Sequence, residues 1–198
     1  MYLEVLPALA LFAFASSVTP GPNNLMVMAS GANFGFWRSL PHMLGISLGF
    51  LLMLVLAGAG LSGIFARYPA SLVVLKVLSI LYMLYLAWKI ATAAPLRPGD
   101  GTGRPMTFLQ AAAFQWVNPK AWAMALTALT VHVGDHGTAM LIAAAALFAA
   151  INLPSITLWT VAGLQMKRFL TSPARLRAFN VTMAVLLILS LYPLLQLG

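Results

Sequence analysis

The chain has 198 residues, of which 62% are apolar and 7% charged, with a formal net charge of +8 and no cysteine. A soluble domain keeps about a quarter of its residues charged, so this composition excludes an ordinary soluble fold and predicts an integral membrane protein. The cations stand singly between apolar stretches and form no basic face, which argues against nucleic acid as a partner, and the absence of cysteine excludes disulfides and thiolate metal sites.

A hydrocarbon core of about 30 Å asks for about 20 apolar residues per helix, so the chain has room for six spans with short connections. The first is read from about Leu3 to Met28. It lacks the cationic start of a signal peptide and is broken inside by Thr19, Pro20, Gly21, Pro22 and Asn23. The second runs from Pro41, placed as a first helical residue, to about Ile64, and the third from Ala70 to Ala91. A Pro- and Gly-rich stretch from Pro95 to Pro105 is the one clear linker. The fourth span covers about Thr107 to Val131 with an interruption at Asn118-Pro119-Lys120. The fifth covers Thr138 to Met166 with Pro154 inside it, and the sixth Phe179 to Leu197.

The expected fold is therefore all-α, one membrane domain of six transmembrane helices in two three-helix repeats, 1–94 and 107–198, joined by a linker at 95–106. Three is odd, so the second repeat is expected to lie inverted, and each begins with a proline-broken helix, a pointer to a transporter site. Arg38, Lys89, Arg97, Arg104, Lys167, Arg168, Arg175 and Arg177 fall on one side and only Arg67 on the other. By the positive-inside rule the first side, including the linker, is cytoplasmic and both termini face out. Trp37, Tyr68 and Trp88 fit interfacial anchors.

Three constellations carry candidate chemistry. In the first, Pro20 and Pro22 lack N–H groups and would free the carbonyls of Ser16 and Val18, while Gly21 lets the backbone turn and Asn23 and Asn24 open the next half-helix. Irregular backbone at membrane depth persists only inside protein or beside a watery cavity. Freed carbonyls suit an ammonium and half-helix N–H groups suit a carboxylate, so an amino-acid zwitterion fits. The bland alternative is a kink repaired by Ser16, Ser17 or Thr19.

In the second, Pro119 frees the carbonyl of Gln115, Asn118 precedes it, and Lys120 stands near the bilayer centre, where a lysine costs on the order of 3 kcal/mol. It therefore needs a counter-charge, unless it snorkels along its helix. The third and weakest is Asn152 with Pro154, Ser155 and Thr157, which equally suits an interhelical hydrogen bond. Lys76 is read as a snorkelling lysine, Gly45 and Gly49 as a close-packing GxxxG pair, and the methionines as core filler. His42, His132 and His136 lie near helix ends and are not expected to hold a metal.

The stretch Thr-Pro-Gly-Pro-Asn-Asn at 19–24, Gly35-Phe36-x-Arg38 and Gly45-x-Ser47-Leu48-Gly49 resemble the first half of the LysE/RhtB amino-acid exporters. Tyr82-x-x-Tyr85-Leu86-Ala87-Trp88-Lys89-Ile90 and Phe114-Gln115-x-Val117-Asn118-Pro119-Lys120 resemble that family's third helix and second signature. The likeness covers nearly the whole chain and is strongest to the cysteine/O-acetylserine exporter branch. It implies a multi-pass exporter of the bacterial inner membrane that needs no cofactor. Several relatives carry an aspartate in the fifth helix where this chain has Asn152, which puts any proton route through that helix in doubt.

The expected substrate-binding set is Pro20, Gly21, Pro22, Asn23, Asn24, Gln115, Asn118, Pro119, Lys120 and Asn152. The expected partners are an amino-acid substrate and membrane lipid, with homo-oligomer formation left open. No nucleotide motif is present, so a secondary transporter is the leading reading. A passive channel is the alternative, since a polar kink can also line a pore. An enzyme would need convergent acids and bases, and Glu4, Asp100 and Asp135 all lie at ends or in loops.

Overall fold

The computed structural model describes residues 2–93 and 104–192; Arg97, Asp100, most of the linker and the chain beyond Tyr192 lie outside them. Every regular element among the described residues is helical, as expected of a chain whose N–H and C=O groups must pair without water.

The first predicted span is two helices, α1 (Tyr2–Val18) and α2 (Pro22–Phe34), bent by 50° at their break. Only Gly35 separates α2 from α3 (Phe36–Leu56), and its φ of 83° is the turn that a side chain would strain. Wider π-type turns carry α3 on to Leu61, and the short α4 (Gly63–Arg67) leads into α5 (Ala70–Ala91). The fourth predicted span is also divided, into α6 (Phe108–Gln115) and α7 (Pro119–Thr127), the latter continuing in π-type turns to Val133. A capping box opens α6: the Gln110 N–H donates to Thr107 Oγ1 at 3.2 Å and the Thr107 N–H to Gln110 Oε1 at 3.1 Å. The chain then forms α8 (Gly137–Met166) and α9 (Pro173–Leu189).

Among the described residues three helical runs are long and apolar enough to cross a membrane, Phe36–Leu61, Ala70–Ala91 and Gly137–Met166, and the bent α1–α2 pair is a fourth if it is counted as one span.

Two expectations are corrected. Pro41 is not a first helical residue but lies inside α3. The hydrogen bond it removes is that to Trp37, one turn from the helix end and on an exposed residue, where the loss is tolerable. The last helix starts at Pro173 rather than Phe179, because Ser172 caps it by accepting from the Arg175 N–H at 3.3 Å. Arg175 and Arg177 therefore stand within its first turns rather than in a loop before it.

At the centre, α8 packs against α1, α2 and α3; α3 also packs on α6, and α5 on α9. The two sequence halves are thus interleaved. One apolar cluster joins α1, α3, α7 and α8 through Leu9, Phe50, Trp122 and Phe148. Another joins α2, α5, α6 and α9 through Met26, Met83, Phe114 and Phe179. Each broken pair passes from one cluster to the other at its break, so both interruptions lie on the boundary between two apolar bodies.

Small residues let the backbones approach. Gly45 and Gly49 meet α6 as the GxxxG spacing predicts, against Phe108, Ala111 and Ala112. The tightest crossing, between α2 and α8, rests on Gly31 and Gly163, which the sequence did not single out. A Cβ on Gly163 would collide with the Met28 carbonyl, and one on Gly31 with the Thr160 carbonyl. Backbone cannot yield as a flexible side chain can, so Gly163→Ala should destabilise the protein by about 1–3 kcal/mol. Gly63→Ala, whose Cβ meets nothing within 4 Å, should leave the thermal midpoint in detergent unchanged. Equal midpoints for the two variants would show that the α2–α8 contact is looser than described.

Candidate functional site

Both breaks use one local device, a capping residue followed by proline at the first helical position. Before α2 these are Gly21, fully extended at φ −175° and ψ 178°, and Pro22; before α7 they are Asn118 and Pro119. Proline costs nothing there because the first N–H groups of a helix have no partner in any case. The Asn118 side chain accepts from the Lys120 N–H at 3.1 Å, and the Gln115 carbonyl, deprived of a helical donor by Pro119, takes the Asn118 N–H at 3.3 Å.

The carbonyls ending α1 are answered from other helices. Asn24 Nδ2 donates to the Ser17 and Thr19 carbonyls at 2.7 and 2.9 Å. From α8, Ser155 Oγ donates to Ser17 at 2.8 Å and Trp159 Nε1 to Val18 at 3.1 Å. From α7, Lys120 Nζ lies 2.7 Å from the Thr19 carbonyl and 3.4 Å from that of Pro20. This corrects the picture of open carbonyls at Ser16 and Val18: the acceptors run from Ser17 to Pro20, and the protein's own donors occupy them. It also shows what answers the lysine's charge. Its ammonium rests at the C-terminal, partially negative end of the α1 dipole.

A reciprocal amide pair joins the two breaks. Asn23 Nδ2 donates to Gln115 Oε1 at 2.8 Å, Gln115 Nε2 returns a bond to Asn23 Oδ1 at 3.1 Å, and the same nitrogen reaches the Ala111 carbonyl at 2.9 Å. Gly21, Asn23, Asn24, Asn118, Lys120 and Asn152 line one cavity of about 20 Å³, with Phe50 and Met124 as its apolar walls. That volume holds a water molecule and no amino acid. The structure therefore gathers the expected residues around one point. Gln115 reaches the cavity wall through Asn23, Pro22 and Pro119 set the half-helix starts, and Pro20 contributes its carbonyl.

Some contributors were missed. Ser17, which the sequence offered only as a repair of the kink, instead lines the cavity with a buried hydroxyl that has no hydrogen-bond partner among the described residues, an orphan that calls for a polar occupant. Trp159 carried no signal beyond being aromatic, and only the fold brings its indole N–H to Val18.

Gly21 is where the lysine side chain passes closest to the backbone: a Cβ there would stand 2.7 Å from Lys120 Cδ and 3.0 Å from Nζ. The extended backbone accepts any residue, and the obstructing atoms belong to a flexible side chain. Gly21→Ala should therefore still fold, but it should shift Lys120 off the Thr19 carbonyl and lower the melting temperature through the loss of that charge-assisted bond. The check is a crystallographic or cryo-EM comparison of the two forms, and an undisturbed Lys120 would contradict the packing described.

A model of the LysE type translocator family matches residues 14–191, a span that holds both breaks and every residue of the cavity. The chain is 33% identical over 187 residues to the cysteine/O-acetylserine efflux protein of Escherichia coli O157:H7, covering 93% of this chain and 94% of that one. It is 32% identical, with the same coverage, to the proteins of that description from Escherichia coli strain K12 and Shigella flexneri serotype 5b, strain 8401. No solved structure matches it. With the signature residues of both broken helices inside the matched span, the chain belongs to the LysE type translocator family.

Proposed function

We propose that the protein is a secondary transporter of the bacterial inner membrane that exports an amino acid or a close derivative, of the cysteine/O-acetylserine kind for which its relatives are named. The observation that carries this reading is the seat of Lys120. Its ammonium lies 2.7 Å from the Thr19 carbonyl, where an amino acid's own ammonium would fit, beside a cavity walled by amides and hydroxyls.

Lys120 then acts as a tethered stand-in for the substrate. An arriving zwitterion places its ammonium on the carbonyls of Thr19 and Pro20, and the displaced lysine turns to the substrate's carboxylate. The first N–H groups of α2, at Asn23 and Asn24, assist it there. One ammonium replaces another, so no charge is left unanswered in the low-dielectric interior at any stage. The cavity of about 20 Å³ is smaller than an amino acid, so on this reading the helices around it move to admit the substrate, as alternating access requires.

The wider architecture of this reading is six spans, with α6–α7 and its continuation as the fourth and α9 as the sixth. Residues 1–94 and 107–198 form inverted halves with both termini outside. Its support is the distribution of cations: Lys89 and Arg104 line a cavity together with Phe34 and His42, placing the α2–α3 turn and the end of α5 at one cation-rich end. Reporter fusions at Asp100 and Arg175 should report cytoplasm, and fusions at Asp135 and the C-terminus the outside. A cytoplasmic C-terminus would refute six spans.

The site itself is tested with Lys120→Met, which keeps the stem length and removes the charge. Losing a charge-assisted hydrogen bond costs about 1.5–3 kcal/mol, so affinity for O-acetylserine or cysteine should fall about tenfold or more. The measurements are ligand-induced thermal stabilisation and counterflow in liposomes, which a passive pore does not show. Asn23→Leu should weaken the same ligand. A Lys120→Met protein that folds and transports with unchanged affinity would show that the lysine merely plugs a kink.

A further inference from the structure

A second cavity lies at the cation-rich end of the bundle, about 90 Å³ in volume, its largely apolar wall interrupted by Ser30, Asn33, His42, Lys89 and Arg104. His42 is 2% exposed, and neither of its ring nitrogens has a hydrogen-bond partner among the described residues. A buried imidazole in that position loses its hydration with nothing in return, which calls for a polar occupant of the space it faces. The neighbouring polar groups are already engaged with one another. Ser30 and Ser39 share a hydroxyl contact of 2.7 Å, and Asn33 is paired with Asn180 at 2.8 and 3.2 Å. Two cations are among the lining residues, Lys89, whose Nζ lies 5.7 Å from the centre of the Tyr85 ring, and Arg104. Among the described residues no carboxylate lines the cavity to neutralise them.

The geometry points to a binding site for a small carboxylate here, its oxygens held by the His42 imidazole N–H and by Lys89 and Arg104. At about 30 Å³ per liquid water the space takes a carboxylate and the first atoms attached to it. The position also gives the site a use. Asn23, Met26, Ser30 and Asn33 recur at three- and four-residue intervals along one face of α2, which links the central cavity at one end to this one at the other. On the exporter reading, on which this role rests, the site collects the substrate by its carboxylate before transfer to the Lys120 cavity. An anionic lipid headgroup offers similar oxygens, and the experiment separates the two sources.

The protein, in nanodiscs of zwitterionic lipid and labelled with ¹⁵N-histidine, is titrated with sodium acetate. The chain holds three histidines, and His42→Gln identifies the His42 signal. Acetate should shift that signal saturably, methylammonium should not, and Lys89→Ala combined with Arg104→Ala should weaken the acetate response about tenfold or more. No saturable shift, or one indifferent to the double variant, would overturn the site. If phosphatidylglycerol in the nanodisc produces the shift and abolishes the acetate response, the cavity holds a headgroup and the proposal is likewise overturned. In counterflow the double variant should raise the half-saturating substrate concentration about tenfold on the cation-rich face, and an unchanged value would remove the collecting role. Absence of counterflow from the unsubstituted protein would instead sink the exporter reading, leaving the acetate titration to decide the site.

Discussion

The structure depends on how the end of α1 is satisfied inside a membrane. A helix that stops at Val18 exposes its last carbonyls where no bulk water is available, and each unanswered one would cost several kcal/mol. The donors come from three other helices: Asn24 from α2, Lys120 from α7, and Ser155 and Trp159 from α8. Meeting that one requirement fixes how α1, α2, α7 and α8 meet. It also explains why a lysine, otherwise a liability at such depth, is tolerable in a helix that has no acid beside it. The same bonds leave the cavity small and polar.

The two interruptions serve similar ends with unequal parts. α1 contributes 17 residues before its break and α6 only 8, yet the breaks meet closely enough for Asn23 and Gln115 to exchange two hydrogen bonds. Each crosses from one apolar cluster to the other, so a polar joint is confined between two packed bodies. A layer of that kind can rearrange without opening the apolar packing on either side.

Much of this was legible in the chain. Pro20-Gly21-Pro22 and Asn118-Pro119 announced both breaks because proline's missing N–H is a local property, independent of tertiary context. The composition announced the solvent, and Lys120 stood out because charge at mid-helix is expensive wherever the helix ends up. What remained hidden was partnership. Nothing local tells Lys120 that its acceptor is Thr19, a hundred residues earlier, or tells Trp159 that Val18 awaits it. The sequence offered an amino acid as the lysine's counter-charge where the structure supplies a helix end. His42 lies near a helix end in sequence and in the fold alike, but burial without a partner is a tertiary fact that spacing cannot reveal. Ser172-Pro173 has the local form of a cap followed by a first helical proline, but the apolar run that marks a span begins only at Phe179.

Two of the long-range polar joints, Asn23 with Gln115 and Asn33 with Asn180, are pairs of neutral amides. The membrane potential exerts force only on net charge, about 2.3 kcal/mol per elementary charge per 100 mV. These joints can therefore open and close with no electrical work, whatever the voltage across the cell envelope. Among the described residues lining the central cavity only Lys120 carries charge, and the zwitterionic cargo proposed above adds none. In the exchange proposed above, the displacement of that one ammonium along the membrane normal is then the electrical signature of the central site.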